Sequence, residues 1–139
     1  MIEVVNRQRH HKIVIRKWCE FGELVLRAIG KSNHDATVVF VSDQAIRKLN
    51  QKFRGRDYVT DVLSFPIAAE PFENQRELGE VIISVPRAVA QAKQNGLSFP
   101  NEVEQLILHG VLHLCGYDHE KDNGEMNRLE LKLRKKLGI

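Results

Sequence analysis

The sequence predicts a single α+β domain over residues 1–139, in which helices pack on a mixed β-sheet of about four strands. A length of 139 residues suits one hydrophobic core and leaves too little chain for two. Hydrophobic residues make up 42% and charged residues 28% of the chain, as in ordinary globular proteins. The apolar spacing switches between the periods of strands and helices in the order β-α-β-α-β-β-α-α-α, which is typical of an α+β domain.

The first four elements each have a local signal. Residues 2–4 alternate in polarity and predict a short strand. From about residue 12 to residue 29 apolar side chains recur at helical spacing, and the β-branched run 36–41 predicts the next strand. Ser42 or Asp43 then caps a second helix, whose predicted apolar face comprises Ala45, Ile46, Leu49 and Phe53.

The middle of the chain predicts two strands separated by irregular segments. Residues 54–61 break the apolar period and predict a loop, and residues 62–65 predict a short strand that Pro66 ends. Mixed charge without a period predicts an exposed loop over residues 68–78. The apolar run at residues 80–84 then predicts a buried strand.

Three helices are predicted after this strand. Pro86 marks the start of the first helix and Gly96 marks its end. The second helix runs from about residue 98 to residue 115, where a glycine follows. The third begins near Asp122, which makes a capping pair with Glu125, and its predicted apolar face comprises Met126, Leu129, Leu133 and Leu137.

Composition excludes several other classes of protein, among them disordered chains, collagen-like repeats and disulfide miniproteins. The longest apolar runs, such as residues 38–41, are far shorter than the roughly 20 residues of a membrane span. Two cysteines, Cys19 and Cys115, are too few for a disulfide framework and suit a reducing compartment. Residues 1–7 show no basic segment leading into an apolar one, so no signal peptide is predicted. We therefore expect a cytoplasmic protein.

Charge is distributed unevenly although the net charge is only +3. Acids outnumber bases over residues 61–80, whereas residues 44–58 hold five basic residues against one acid, Asp57. A local basic cluster permits phosphate contacts, but most charge runs are solvated faces, so this pattern alone is weak evidence of nucleic-acid binding. The basic residues of the cluster are Arg47, Lys48, Lys52, Arg54 and Arg56.

Three histidines at the end of the helix predicted over about residues 98–115, and just after it, predict a metal site. His109 and His113 are four residues apart, which advances about 400° around a helix and places both side chains on one face. Gly116 allows the chain to leave the helix and turn back, so that His119 can approach the same point. A lone histidine is usually only a satisfied polar residue, but this arrangement favours metal binding. Three histidines leave a fourth position for water, as in catalytic zinc sites.

The remaining cysteine and histidine side chains are not predicted to be ligands. Cys115 lies about 200° around the helix from the second histidine, on the core side with Val111, and is interpreted as buried packing. His10 and His11 are adjacent and predicted to face solvent, and His34 lies in a polar turn.

The histidine spacing resembles the H-E-x-x-H-x-x-G-x-x-H signature of zinc proteases, which indicates a zincin-like metal site. Gly110 stands where those enzymes carry the glutamate that serves as general base. Peptidase activity is therefore disfavoured, although Asp118 or an acid from elsewhere in the chain could take that role.

Three blocks of sequence resemble the YbeY family of bacterial metal-dependent endoribonucleases that act in ribosomal RNA maturation. They are the histidine block at residues 109–119 (HGVLHLCGYDH), the block at residues 49–66 that ends in TDVLSFP, and the strand at residues 79–84 (GEVIIS). Two departures are small: Val59 stands where the family often has proline, and Glu80 where aspartate is common. Neither departure touches the predicted metal site.

The resemblance implies one Zn²⁺ per chain held by His109, His113 and His119. It also implies cleavage of single-stranded RNA, a role in 16S ribosomal RNA 3′-end maturation and ribosome quality control, and the ribosome or ribosome-associated proteins as partners. Arg54 is implied to be a catalytic residue in the cleft, where its guanidinium can neutralise charge on a phosphate. Without the family pattern, Arg54 would be interpreted as a surface arginine after a helix. Two alternatives remain open: a metallopeptidase, or a non-catalytic ribosome-assembly factor with a structural zinc.

Overall fold

The computed structural model describes residues 1–67 and 75–139, which form a four-stranded sheet covered by helices. Within these ranges the predicted order of elements is confirmed. The elements are β1 (Ile2–Asn6), α1 (Ile15–Ala28), β2 (Asp35–Val41), α2 (Asp43–Arg54), β3 (Val62–Pro66), β4 (Glu77–Ser84), α3 (Val85–Asn95), α4 (Phe99–Leu114) and α5 (Glu125–Leu137).

The sheet is mixed, as predicted, with its strands in the order β1-β2-β4-β3. β1, β2 and β4 run parallel to one another, and β3 pairs antiparallel with β4 at the edge. The register places Ser64 of β3 opposite Val81 of β4. Gly110 of α4 lies against these two residues.

The two faces of the sheet bury different amounts of apolar surface. Because successive side chains point to opposite faces, Val38 and Phe40 lie on one face and Val39 and Val41 on the other. The first face packs with residues of α1, α3, α4 and α5 in the larger core, and the second packs mainly with α2 in a smaller one. The larger core therefore holds α4, the helix that carries two of the predicted ligands.

α4 is enclosed by its neighbours along most of its length. Nine of its 16 residues are buried, and it contacts β3, β4, α1, α3 and α5. Burial on so many sides fixes the rotation of the helix about its axis. No helix in the described ranges is both long enough and apolar enough to cross a membrane.

The first helix begins later than predicted. α1 starts at Ile15 rather than near residue 12, after Val14, which is extended and makes no capping bond with its side chain. The side chain of Gln8 explains the delay, because it both donates to and accepts from the backbone of His11, at 2.8 and 3.1 Å. These bonds hold an irregular turn in competition with a helix.

The last helix also begins later than predicted, at Glu125. The Asp122 carboxylate accepts hydrogen bonds from the backbone N–H groups of Gly124 and Met126, both at 2.9 Å. Asp122 therefore caps the helix from two residues before its N-cap. Glu125 takes no part in a reciprocal pair and instead accepts from the N–H of Asn123 at 2.6 Å.

Two predictions need correction, one about the start of β4 and one about the apolar face of α2. β4 begins at Glu77, so the last two residues of the loop predicted over residues 68–78 are strand; residues 68–74 lie outside the described residues. On α2, the predicted apolar face includes Phe53, which is 58% exposed in the structure. Its ring packs edge-on against Phe65 of β3 with centroids 5.3 Å apart, at the rim of the smaller core.

Candidate active site

Two of the three predicted histidines project from the last turns of α4 on the side that the core leaves uncovered. His109 and His113 lie one turn apart on a single face, as their spacing predicts. The Nε2 atoms of the two rings approach to 3.1 Å. A rigid, enclosed helix therefore directs two ring nitrogens to one point.

The third histidine comes from the segment that follows α4. Gly116 has a φ of 96°, a conformation that residues with side chains rarely adopt, and the chain turns back at this residue. His119 then lies with its ring centroid 5.6 Å from that of His109 and 5.5 Å from that of His113. One ligand atom from each residue lies within 4.8 Å of the others. The described residues thus contain a three-nitrogen group that could hold a metal ion.

Hydrogen bonds on the far side of the rings set the tautomers of the two helical histidines. Nδ1 of His113 lies 2.8 Å from the carbonyl oxygen of Tyr117. A carbonyl only accepts, so Nδ1 carries the proton and Nε2 keeps its lone pair. Nδ1 of His109 donates to the Glu130 carboxylate at 3.1 and 3.3 Å, with the same consequence. Both Nε2 atoms therefore face the site as electron-pair donors, as metal ligands must.

The electrostatics of the site favour neutral imidazole and ionised carboxylate. Burial, followed by the neighbouring His109, lowers the pKa of His113, so this ring resists protonation. Burial alone would raise the pKa of Glu130, but the hydrogen bond from His109 and the positive charge of Arg134 outweigh that effect and lower it. Glu130 thus stays anionic at neutral pH and keeps the His109 ring in the ligating tautomer.

The donor set fits a zinc ion. Two acceptor nitrogens 3.1 Å apart repel each other unless they share a cation or a proton. Bonds of about 2.0–2.1 Å to a tetrahedral zinc separate two imidazole nitrogens by about 3.3 Å, close to the observed spacing. A carboxylate behind one ligating histidine is the usual support for such a ligand.

Arg54 lies in the cleft beside the histidines. A cleft of about 330 Å³ is lined by Arg54 at the end of α2 and by His113 and His119. Nη2 of Arg54 donates to the carbonyl oxygen of Ser64 at 3.2 Å, and Oγ of Ser64 donates to the carbonyl oxygen of Gly110 at 3.2 Å. Through Ser64, the guanidinium is tied to α4 between the two histidines. The geometry therefore brings Arg54 together with His113 and His119 at this cleft.

Gly110 allows α4 to lie directly against the sheet. A Cβ atom at this position would come within 2.5 Å of Cγ1 of Val81 and 3.3 Å of Oγ of Ser64. Real Cβ atoms do not tolerate the shorter contact, so the Val81 side chain or the helix would have to shift. A glutamate at position 110 would meet the same β-strands, so the position has no room for the general base of the zinc proteases.

The cysteine and histidine side chains predicted to lack a metal role lie apart from the cluster. Cys115 is half-buried against the larger core, and burial raises the pKa of its thiol. A thiol with a raised pKa is a poor metal ligand. His11 stacks on Phe99 at the N-terminal end of α4, with centroids 4.2 Å apart, and His34 precedes β2.

Sequence reasoning missed Glu130 and Ser64, which position the predicted residues. The signal for Glu130 was present: it lies four residues after Met126 and three before Leu133, so it interrupts the predicted apolar face of α5 with a charge. A buried acid on such a face needs a partner, and His109 supplies it. Nothing local marks Ser64, because its partners come from distant parts of the chain.

Comparison with known proteins places the whole chain in one group. A family model described as Endoribonuclease YbeY matches residues 3–138. The Endoribonuclease YbeY of Aquifex aeolicus is 44% identical over 121 residues, covering 87% of this chain and 78% of the relative. That of Geobacter metallireducens is 37% identical over an alignment of 141 residues, covering 99% of this chain and 94% of the relative.

A solved structure agrees with these relatives. The solution structure of TM1509 from Thermotoga maritima superimposes with a TM-score of 0.67 at 29% sequence identity. The match covers 99% of this chain and 89% of that one. The α+β fold is therefore shared over the full length of the chain.

Proposed function

This chain belongs to the Endoribonuclease YbeY family, and we propose that it hydrolyses phosphodiester bonds of single-stranded RNA with a zinc ion held by His109, His113 and His119. The observation that carries the proposal is the cluster of these three side chains, two of which, His113 and His119, line one cleft together with Arg54. The family name supplies the reaction, and the donor set supplies the metal class. Gly110 speaks against the peptidase alternative, because the helix has no room for the acid that peptide hydrolysis needs there.

The protein's own groups prepare the site for a phosphodiester. When bound, the metal supplies Lewis-acid chemistry: it lowers the pKa of a coordinated water and polarises a phosphoryl oxygen. Glu130 and the carbonyl of Tyr117 hold the two helical histidines with Nε2 turned inward. These contacts orient the ligands before substrate arrives, so the geometry costs no reorganisation during the reaction.

Arg54 binds the phosphate in this proposal. One of its five N–H groups is engaged with the carbonyl of Ser64, which leaves the rest of the guanidinium free to face the cleft. A guanidinium fork can donate two parallel hydrogen bonds to the oxygens of one phosphate. As negative charge builds on those oxygens, the same bonds strengthen and stabilise the transition state.

The biological role is proposed from the family resemblance. We assign the chain to 16S ribosomal RNA 3′-end maturation and ribosome quality control, with ribosomal RNA and the ribosome or its associated proteins as partners, in the cytoplasm. The basic residues of α2 that flank Arg54, including Lys48 and Lys52, support a polyanionic partner. A non-catalytic assembly factor with a structural zinc is the alternative that the experiment must exclude.

Metal analysis combined with an RNA-cleavage assay tests the proposal. Purified protein is expected to hold about one zinc per chain and to cut a labelled single-stranded ribosomal RNA fragment, with activity lost on chelation and restored by Zn²⁺. His11→Ala, a histidine remote from the cluster, is the matched control and is expected to keep both metal and activity. Cleavage of casein that chelation abolishes, or zinc binding without RNA cleavage on any ribosomal substrate, would contradict the proposal.

A further inference from the structure

A second cleft lies behind His109, between α3, α4, α5 and the start of β3. It has a volume of about 340 Å³, within the range of small-ligand sites. His109 lines it, while the Nε2 of the same ring faces His113 in the candidate active site. Val62 lines both clefts, so they are neighbours across one side chain. We call it the amide cleft, because Gln91, Gln94, Asn95 and Gln105 contribute to its walls.

Carboxylate oxygens and the carbonyl oxygen of Gln91 give this cleft several hydrogen-bond acceptors. Nε2 of Gln91 donates to Oδ2 of Asp61 at 3.1 Å and to Oε1 of Glu102 at 3.0 Å. Carboxylates only accept, so both amide hydrogens of Gln91 are used and its Oε1 is the group left over. Nε2 of Gln105 donates one of its two hydrogens to Oδ1 of Asn101 at 3.2 Å, and the carbonyl oxygen of Gln105 is a further acceptor.

The charge of the amide cleft is opposite to that of the Arg54 side. Asp61, Glu102 and Glu130 line it against a single cation, Arg134, besides the neutral amides. A phosphate is repelled by this lining, whereas an uncharged base is not. A single strand that places its phosphate at Arg54 has its bases free to enter a neighbouring pocket.

We propose that the amide cleft binds one nucleobase next to the scissile phosphate and selects a base with an exocyclic amino group. This inference rests on the proposed RNA hydrolysis. Guanine, adenine and cytosine each offer an amino donor to the acceptors of Asp61, Gln91 and Gln105. Uracil has no amino group, and its one donor on that edge, N3–H, lies between two carbonyl oxygens that those acceptors repel. The chain would therefore cut RNA with a preference against uracil at one position beside the cleavage site.

A randomised single-stranded RNA, sequenced at its new ends, measures this preference. The parent is expected to disfavour uracil by about fivefold or more at one flanking position, the effect of one good base contact. Gln105→Leu leaves the bonds among Gln91, Asp61 and Glu102 intact and is expected to reduce the preference to about twofold or less. Asn127→Leu removes an exposed amide on α5, outside the amide cleft, and is expected to keep the preference of the parent. An unchanged preference in Gln105→Leu, or none in the parent, would overturn the proposal.

A binding measurement separates this proposal from the proposed hydrolysis. Cytidine or guanosine monophosphate added to ¹⁵N-labelled protein is expected to shift the side-chain amide signals of Gln91 and Gln105, and uridine monophosphate is expected to shift them much less. Such selective shifts without RNA cleavage would refute the hydrolysis and keep the base site. Cleavage accompanied by equal shifts for all nucleotides, or by none, would keep the hydrolysis and refute the base site.

Discussion

The candidate active site combines a buried helix with an exposed segment, and the two hold their histidines differently. His109 and His113 project from α4, which is enclosed on most sides, and their Nδ1 atoms are fixed by Glu130 and by the backbone of Tyr117. His119 lies in the segment between α4 and α5, is exposed, and makes no side-chain hydrogen bond within the described residues. Packing therefore sets the first two ligands, whereas the third has to be brought onto the ion.

Because of this difference, the three histidines should contribute unequally to metal binding although their side chains are chemically identical. A ligand whose rotamer and tautomer are already fixed loses little entropy when it binds a metal. An exposed ligand pays that entropy on binding, but it can also move as substrate enters. The helical pair should therefore dominate metal affinity, and the following predictions test that division.

Removal of a helical ligand should have the largest effect. We expect His113→Ala to weaken zinc binding by more than about 100-fold and to abolish RNA cleavage. This loss exceeds the one usually seen when a residue that only hydrogen-bonds a metal ligand is replaced. His119→Ala should lose less affinity, because two oriented Nε2 atoms remain. Competition with a chelator of known affinity measures both. Equal losses in the two variants would show that the exposed segment is as well organised as the helix.

Loss of the charge behind His109 should have the next largest effect. Glu130→Gln keeps a hydrogen-bond acceptor but removes the anion that stabilises the ligating tautomer. We expect zinc affinity to fall by about 10-fold to 100-fold, with the fold retained as judged by circular dichroism. Glu20→Gln, at an exposed glutamate of α1, is the matched control. An unchanged affinity in Glu130→Gln would mean that packing alone orients His109.

The phosphate contact should have an intermediate effect that spares the metal. We expect Arg54→Lys to lower RNA cleavage by about 10-fold, since an ammonium lacks the fork that grips two oxygens. Zinc content should not change. Arg56→Ala is the control for loss of positive charge and should do less. If Arg56→Ala loses most of its RNA cleavage while Arg54→Lys cleaves RNA like the parent, Arg54 is not the arginine that binds the phosphate.

A change in the turn after α4 should have the smallest effect. Gly116→Ala forces a side chain into a φ of 96° and should cost about 1 kcal/mol of unfolding free energy. Nothing lies within 4 Å of the added methyl group, so the cost is confined to the backbone. Denaturant unfolding measures the loss of stability in Gly116→Ala, and zinc titration measures the loss of metal affinity. A large loss of affinity for a small loss of stability would show that the turn itself sets the position of His119.

The sequence predicted the parts of this site that depend on local geometry. Helical period alone places His109 and His113 on one face, and a glycine three residues before His119 predicts the return of the chain. Glu130 was missed because its meeting with His109 depends on how α5 packs on α4, across 21 residues of sequence. Arg54 needed the family pattern, since the bond to Ser64 that holds it in the cleft joins two separate elements.

The same distinction applies to the boundaries of the elements. Ser98 was placed at the start of the predicted α4, and as its N-cap it accepts a hydrogen bond from Asn101, a signal contained within four residues. The starts of α1 and α5 were placed too early, because Gln8 and Asp122 use their side chains to hold turns that apolar spacing does not reveal. Hydrophobic period thus located the helices, while side-chain bonds to the backbone decided where they begin.

The close approach at Gly110 also limits how this enzyme can evolve. Acquiring the glutamate of a zinc protease at position 110 would require space that Val81 and Ser64 now occupy. Replacing Ser64 would in turn remove the hydrogen bond from its hydroxyl to the carbonyl oxygen of Gly110, which links the strand that holds Arg54 to α4. Conversion to a peptidase therefore needs several coordinated substitutions, because the glutamate alone would clash with Val81. The motif of a zinc protease differs from this one at a single position, but a single substitution is thus not enough to convert the present enzyme into one.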